Sequence, residues 1–166
     1  MLNSEFDLAF YDPCELNPHI FDIEEYYVDH LVALVPADHS LCKLKTIDLK
    51  LLAGERLLLM DNSTPIYDLY YSLFQKVGFE PNVYFTGVRI ENFVEMVSNK
   101  MGIAILLNKH ITNVNNNFAV IRDINPTATH TMSFARVKAQ HHSTISKEFW
   151  NYMKENINVF HAKLNK

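Results

Sequence analysis

A run of short polar residues near the middle of the chain has side chains that could bind a small anion. It reads DNSTP over 61–65 and directly follows the apolar segment RLLLM. Short amide and hydroxyl side chains donate hydrogen bonds to carboxylates and sulfates, and a helix N-terminus adds free backbone amides and a favourable dipole. The run therefore predicts an anion-binding loop, if a strand precedes it and a helix follows. A helix cap made by Ser63 or Thr64 alone is an equally good interpretation.

Other chemically capable residues form no recognisable catalytic or metal site. Arg89 precedes a second helical segment, where it either neutralises a bound acid or faces solvent. The adjacent pair His141 and His142 favours a surface loop over a metal site, and Asp61 and Asp123 follow apolar segments without a partner nucleophile. Glycine-rich phosphate loops, GxSxG and HExxH are absent from the sequence. We therefore predict no enzyme activity, no catalytic residue, no cofactor and no metal.

Two helix and three strand patterns alternate around the polar run. Apolar residues recur every three or four positions over 66–77 and 90–101, with Pro65 in the first turn of the former and Gly78 at its end. The segments 56–60, 82–86 and 103–107 are strand-like, and the last is apolar throughout, which is typical of a strand covered on both faces. Strand–helix–strand alternation predicts an α/β fold with a parallel sheet and right-handed crossovers.

Further elements are predicted on both sides of this region. They are a strand over 6–10, a polar loop over 12–25, an extended segment over 26–35, a short helical turn over 46–53, and strands over 118–121 and 132–137. A last helix begins near Ser143, and its predicted buried face consists of Ile145, Phe149, Trp150, Met153, Ile157 and Phe160.

The composition of the 166 residues is that of an ordinary globular protein, 48% hydrophobic with a net charge of −4. Two cysteines, Cys14 and Cys42, are too few for a disulfide scaffold, and neither a signal peptide nor a transmembrane segment is recognisable. These features predict a cytoplasmic protein. The charge is uneven, since the first 30 residues hold eight acids and no Lys or Arg, while the last 36 hold six bases and two acids. This pattern favours solvated faces over a binding patch.

Five segments, in this order along the chain, resemble the effector-binding domain of LysR-type transcriptional regulators. They are FDLAF at 6–10, VPADHSL at 35–41, VGFEP at 77–81, MGIAILL at 101–107 and the helix that starts at Ser143. The resemblance implies a type 2 periplasmic-binding-protein-like fold with two lobes. The second lobe would be complete over 13–104, and the first lobe partial over 1–12 and 105–166. The hinge crossings would lie after Phe10 and near Leu107, and the helix-turn-helix domain of the family would be absent.

The resemblance also implies where an effector would bind. By position, the contacts are Tyr11 and Asp12 after the first hinge strand, and Asn62, Ser63, Thr64 and Pro65 at the helix N-terminus; Arg89 joins them from its place in the sequence. The effector would be a carboxylate or another anion, although Asp12 would repel it. Lys100 stands where the family has a glycine, so we expect Asn99 to cap that helix. Leu107 replaces a proline, which implies a less rigid hinge.

The function implied is effector sensing in the cleft between the lobes, which modulates transcription through a dimer or larger homo-oligomer. DNA binding would require the absent helix-turn-helix domain, and no membrane is involved. One alternative is a solute-binding protein of a transporter with the same fold, and another is an enzyme on the same scaffold. A third is a shortened chain that dimerises with full-length subunits. Unpaired apolar strand edges in the partial lobe predict self-association.

Overall fold

The computed structural model describes residues 6–12, 16–78, 80–111 and 117–164, with side chains of the last helix described to Val159. Cys14 and the centre of the predicted VGFEP turn lie outside these residues. The chain divides into two compact units, unit 1 (1–28 and 131–166) and unit 2 (29–130).

Eight strands and four α-helices make up the described chain. The strands are β1 (Ala9–Tyr11), β2 (Phe21–Pro36), β3 (Thr46–Asp48), β4 (Leu57–Met60), β5 (Val83–Gly87), β6 (Ile103–Leu107), β7 (Ala119–Asn125) and β8 (Thr129–Val137). The helices are α1 (Tyr67–Val77), α2 (Ile90–Ser98), α3 (Asn108–Ile111) and α4 (Thr144–Leu164), with 3-10 turns at Ser40–Lys43 and Leu49–Leu52.

Unit 2 is built on a mixed sheet in the order β3–β7–β2–β6–β4–β5. β4 lies between β5 and β6 and is parallel to both, as the strand–helix alternation predicts. β2 runs antiparallel to β6 and β7 and joins the parallel group to the rest of the sheet. All five residues of β6 are buried, which confirms the interpretation of its continuous apolar run as a covered central strand.

Helix α1 is held against the sheet by an aromatic anchor. Tyr70 is fully buried, and its hydroxyl donates to the carbonyl of Ile105 in β6 over 2.7 Å. Phe74, one turn further, is also buried, and Gly78 ends the helix in the left-handed conformation with φ of 80°. The predicted end of α1 is thus confirmed, and its buried face positions the loop that precedes it.

The turn between α2 and β6 shows how the helix ends at Lys100, where the resemblance implies a glycine. Asn99 is the C-cap residue, and its side-chain amide donates to the Glu95 carbonyl over 2.9 Å. Lys100 itself takes the left-handed conformation with φ of 60°. The amides of Lys100 and Met101 donate to Val97 and Met96 over 2.9 and 3.0 Å, the two bonds of a Schellman motif. The helix therefore ends normally at the cost of a strained lysine.

Gly102, next in the chain, is required by the close approach of β4. A Cβ atom at this position would lie 2.4 Å from the Arg56 carbonyl oxygen, and Ile103 donates its amide to the same oxygen over 2.9 Å. A side chain here would push the two backbones apart. The glycine thus allows β6 to enter the sheet directly beside β4.

Unit 1 consists of β1, the first part of β2, the last part of β8, and α4. β1 pairs antiparallel with β8, with Phe10 opposite Phe134. Its buried cluster comprises Phe134, Trp150 and Met153, with Leu8, Tyr26 and Ile157 packed at the edge. The rings of Phe134 and Trp150 meet at 4.8 Å between centroids in an edge-to-face contact, which stabilises α4 on the strands.

The predicted polar loop over 12–25 is partly wrong, because β2 already begins at Phe21. Its acidic residues made this part of the strand look like a loop. In the structure Asp22 pairs with Arg136 at 3.0 Å and Glu24 pairs with Lys154 at 2.5 Å. Long-range ion pairs of this kind leave no periodic mark in the sequence. The helical turn predicted over 46–53 is also partly wrong. Its second part forms the 3-10 turn Leu49–Leu52, but its first part is β3, over 46–48.

The predicted buried face of α4 is also partly wrong. Trp150 and Met153 are buried as expected, whereas Ile145 is 79% exposed and Phe149 is 45% exposed. The helix carries two adjacent apolar stripes, and Ser146 lies on the covered one with Trp150 and Met153. The Phe160 side chain lies outside the described residues.

The units do not have the bounds predicted for the lobes. The chain passes between them within β2, after Val28, and within β8, after His130. The predicted crossing near Leu107 falls instead inside unit 2, where Leu107 pairs with Leu31. A continuous apolar run is equally compatible with a hinge strand and a central strand, which explains the difference. How the units correspond to the two lobes of the family stays a prediction.

Among the described residues, no helix has both the length and the apolar character needed to cross a membrane.

Candidate functional site

The carboxyl ends of β4, β5 and β6 lie at one edge of the unit 2 sheet, because these three strands are parallel. The loop 61–66 follows β4, Val88 and Arg89 follow β5, and α3 follows β6. The amide of Asp61 donates to the Gly87 carbonyl over 3.0 Å and so joins the first two loops. The structure therefore brings Asn62, Ser63, Thr64, Pro65 and Arg89 to the same edge, where open α/β sheets bind ligands.

The polar loop is organised by its own first residue. The Asp61 carboxylate accepts the Ser63 amide over 2.9 Å and the Ser63 hydroxyl over 2.6 Å. The Thr64 hydroxyl donates to the Asp61 carbonyl over 2.7 Å. The Ser63 hydroxyl, followed by the Ser63 amide, lowers the pKa of Asp61 below its usual value. Asp61 thus stays ionised and gives the loop a fixed shape and a negative charge.

The predicted capping of α1 by Ser63 or Thr64 is wrong. The helix begins at Tyr67 after Ile66, which makes no side-chain cap, and Pro65 lies before its first turn. The Thr64 backbone carbonyl accepts the Tyr67 amide over 3.1 Å instead. Both hydroxyl groups donate to Asp61 instead, and local hydrogen bonds of this kind compete with helix capping. The first turn of α1 consequently keeps amides without a side-chain acceptor, together with one acid, Asp68.

Arg89 occupies the corresponding place before α2. It is the N-cap residue of this helix, its side chain forms no cap hydrogen bond, and it is exposed. Its guanidinium supplies a positive charge at the edge that also carries Asp61 and Asp68. The electrostatic character of the edge is therefore mixed rather than simply basic.

A buried carboxylate at this edge, Asp29, was not predicted from the sequence. Its side chain is fully buried, and it accepts the Lys109 amide over 3.0 Å and the His30 amide over 2.8 Å. Asp29 thereby fixes the start of α3 to β2, beside the end of β6. The signal was an acid inside the apolar strand sequence of 28–36, where a carboxylate is retained only if it is hydrogen-bonded.

The two remaining predicted contacts belong to unit 1. Tyr11 ends β1 opposite Ser133 and is 43% exposed, and Asp12 follows it directly. The structure thus divides the predicted set between two units, five residues in unit 2 and two in unit 1.

Only one residue of the histidine pair lies at the surface, where both were predicted. His141 is exposed, but His142 is buried and its Nε2 lies 2.8 Å from the Val137 carbonyl. Within the described residues, no three His, Cys, Asp or Glu side chains are placed to hold a metal ion.

Nearly the whole length of the chain is similar to one protein family. Residues 1–158 match the family described as "LysR substrate binding domain". Among curated relatives, the transcriptional dual regulator GltC of Bacillus subtilis is 23% identical over 152 residues, which cover 91% of this chain and 51% of that protein. A second relative from the same organism, the uncharacterized HTH-type transcriptional regulator YybE, is 32% identical over 78 residues, 47% of this chain and 27% of that protein. The chain thus matches about a quarter to a half of the length of these relatives.

Solved structures show the same fold. The regulatory domain of CcmR from Synechocystis, determined in complex with 2-PG, superposes with a TM-score of 0.79 at 20% identity, covering 92% of this chain and 74% of that one. The effector binding domain of QuiR, determined in complex with shikimate, gives a TM-score of 0.80 at 25% identity, covering 91% of this chain and 71% of that one. These likenesses agree with the fold class predicted from the sequence.

Proposed function

The chain belongs to the LysR substrate binding domain family, and from this premise we propose that it senses a small effector for a transcriptional regulator. The observation that carries the proposal is the family match over nearly the whole chain, joined to the polar residues that meet at the carboxyl ends of β4, β5 and β6. Both curated relatives are transcriptional regulators, which supports regulation over the alternative of transport. The same relatives support a role without enzymatic activity.

The effector site in this proposal lies at the carboxyl edge of unit 2. The first turn of α1 offers backbone amides with no side-chain cap, and Arg89 adds a cation. Together they would bind the acidic group of a small carboxylate or another anion. The predicted roles of Tyr11 and Asp12, in unit 1, stay predictions.

The charge of the loop restricts which acids fit. Asp61 is held ionised by Ser63, and Asp68 adds a second carboxylate in the first turn of α1. Each would repel a second negative charge on the ligand and accept a hydrogen bond from a neutral donor. We therefore expect an acid with one strongly ionised group that also carries hydroxyl or amide donors, rather than a compact polyanion.

A thermal-shift screen of small carboxylic acids, hydroxy acids, amino acids and sulfate tests the proposal. A ligand that binds the folded chain raises the melting temperature, because a concentration 100 times Kd adds about 2.7 kcal/mol to the free energy of unfolding. Arg89→Gln should weaken the responding compound roughly tenfold, the effect of losing one charge-assisted hydrogen bond.

The matched control is Arg56→Gln, which removes an exposed arginine at the opposite, amino end of β4. This variant should bind as the unmodified chain does. The proposal fails if no compound in the screen stabilises the chain, or if both arginine variants bind equally well.

The wider biology follows from the family. We propose a cytoplasmic protein that acts as a dimer or larger homo-oligomer and reaches DNA through a helix-turn-helix domain. Gel-shift assays should detect no sequence-specific DNA binding by these residues, because the described part of the chain contains no recognition helix.

A further inference from the structure

Unit 1 contains an open cavity that the proposed effector site does not use. Its volume is ≈ 400 Å³, within the range of small-molecule sites. The walls come from the start of β2, the end of β8 and the middle of α4, so the whole cavity lies inside this unit. It brings together residues from the acidic first segment of the chain and from its basic last segment. From the sequence alone, the charges of these two segments were interpreted as solvated faces.

Charges around the cavity do not cancel. Among the described residues that line it are three cations, Arg136, Lys138 and Lys154, and two carboxylates, Asp22 and Glu24. Arg136 pairs with Asp22 at 3.0 Å and Lys154 pairs with Glu24 at 2.5 Å. Lys138 donates instead to a neutral acceptor, the Pro18 carbonyl, over 2.7 Å. The described lining therefore carries a surplus positive charge in a chain whose net charge is −4.

Two contacts hold the guanidinium of Arg136 in a fixed orientation. Its Nε donates to Asp22, while its guanidinium carbon lies 4.3 Å from the centroid of the Trp150 ring. These two contacts fix the plane of the guanidinium and leave its terminal nitrogens as donors. A planar arginine fork matches the two oxygens of a carboxylate or phosphate.

We propose that this cavity is a second anion site, independent of the carboxyl edge of unit 2. The bound group is a carboxylate or a phosphate, which takes hydrogen bonds from the terminal nitrogens of Arg136 and from Lys138. The carbon part of an organic ligand rests on the apolar wall formed by Pro18 and Phe21. Because the ligand approaches Trp150 through Arg136, binding changes the environment of that indole.

The chain has one tryptophan, so its fluorescence reports this cavity directly. We would titrate the full chain with inorganic phosphate and, separately, with acetate, at constant ionic strength maintained with sodium chloride. The expected result is a saturable change in Trp150 emission with at least one probe, and the responding probe tells whether phosphate or carboxylate is the preferred group.

Lys138→Gln should weaken this binding roughly tenfold, since it removes one charged donor. Lys147→Gln is the matched control, because Lys147 is an exposed lysine on α4 that does not line the cavity. Arg136→Lys, which keeps the charge but loses the fork, should also weaken binding. The absence of saturation with both probes would overturn the proposal, as would equal binding by the two lysine variants. Neither result bears on Arg89 and the unit 2 site.

Discussion

The two units differ most in how much apolar surface they bury. The described residues of unit 2 include one continuous cluster of 28 buried hydrophobic residues, which spans both faces of its sheet. Among the described residues of unit 1, the corresponding cluster has three. Unit 1 also leaves large apolar side chains in solvent, notably Phe10, Phe149 and Tyr152, which are 50, 45 and 54% exposed. Since burial of apolar area is the main stabilising contribution, unit 2 should be the stable part of this chain and unit 1 the part that opens first.

The largest test of this difference compares one buried side chain from each unit. Phe93→Ala empties a fully buried position in unit 2 and should lower the free energy of unfolding by ~3–5 kcal/mol. Met153→Ala in unit 1 should cost about 2 kcal/mol, the low end for such a change, because the thin cluster can collapse. Urea denaturation followed by circular dichroism measures the whole chain, and Trp150 fluorescence measures unit 1.

In the unmodified chain, the Trp150 transition should come at lower urea than the circular-dichroism transition. Phe93→Ala should then shift mainly the circular-dichroism transition to lower urea. Coincident transitions that both substitutions shift equally would mean that the units unfold as one, and the comparison would be wrong.

A second test examines how tightly unit 2 is packed. Gly102→Ala forces a Cβ to within 2.4 Å of a backbone carbonyl and should cost about 1–3 kcal/mol. Gly87→Ala is the control, since its Cβ would meet the Phe85 side-chain ring at 3.0 Å, and a side chain can move aside. Thermal unfolding of both variants gives the comparison. Equal losses would show that β4 and β6 separate easily.

Lys100 provides a smaller test within the same unit. Lys100→Gly should be about 1 kcal/mol more stable than Lys100→Ala, because alanine keeps the left-handed strain at φ of 60° and glycine does not. Both variants lose the ion pair with Asp38, so the pair cancels in the difference. Equal stability of the two variants in urea would show that the Schellman turn is not strained.

The smallest expected effect concerns acid. Because the pKa of Asp61 is lowered in the folded chain, its contribution to stability is complete above the unfolded value and is lost as the pH falls through the folded one. Ser63→Ala removes the main cause, so the pKa of Asp61 should rise toward 3.8, its ordinary value. Carboxyl NMR titration measures this.

Asp38 is the internal reference for that titration, since Lys100, through a hydrogen bond to the carboxylate, lowers its pKa from a separate location. It should titrate identically with and without Ser63. A rise at both residues would point to a general loosening of unit 2 rather than to the loss of one hydrogen bond.

The sequence was informative where one local signal dominates. The apolar run of β6, the glycine that ends α1 and the strand–helix alternation each follow from short-range rules, and each is confirmed. The start of α1 was misplaced because Ser63 and Thr64 had two possible local partners, the free helix amides and Asp61, and spacing does not decide between them. The early part of β2 was missed because its acids are balanced by Arg136 and Lys154, more than 100 positions away.

The candidate site was predictable to the same extent. Five of its residues could be placed at one sheet edge from the order of strands and helices, and the structure has them there; their part in binding stays a prediction. Asp29 could not, because its role depends on an amide at position 109 that only the folded chain brings near. The sequence also did not show to which unit each predicted contact belongs, because the boundaries between the units fall inside β2 and β8.

The length of β2 restricts how this chain can change over evolutionary time. One uninterrupted strand of 16 residues supplies Asp22 and Glu24 to unit 1 and the buried positions 31–35 to unit 2. Side chains alternate between faces, so an insertion or deletion of a single residue in the middle of β2 would invert one half against the other. One mutational event would then exchange the packing partners of the buried unit 2 positions, or turn Asp22 and Glu24 away from Arg136 and Lys154. Insertions and deletions should consequently be tolerated in the turns of this family and be purged from this strand.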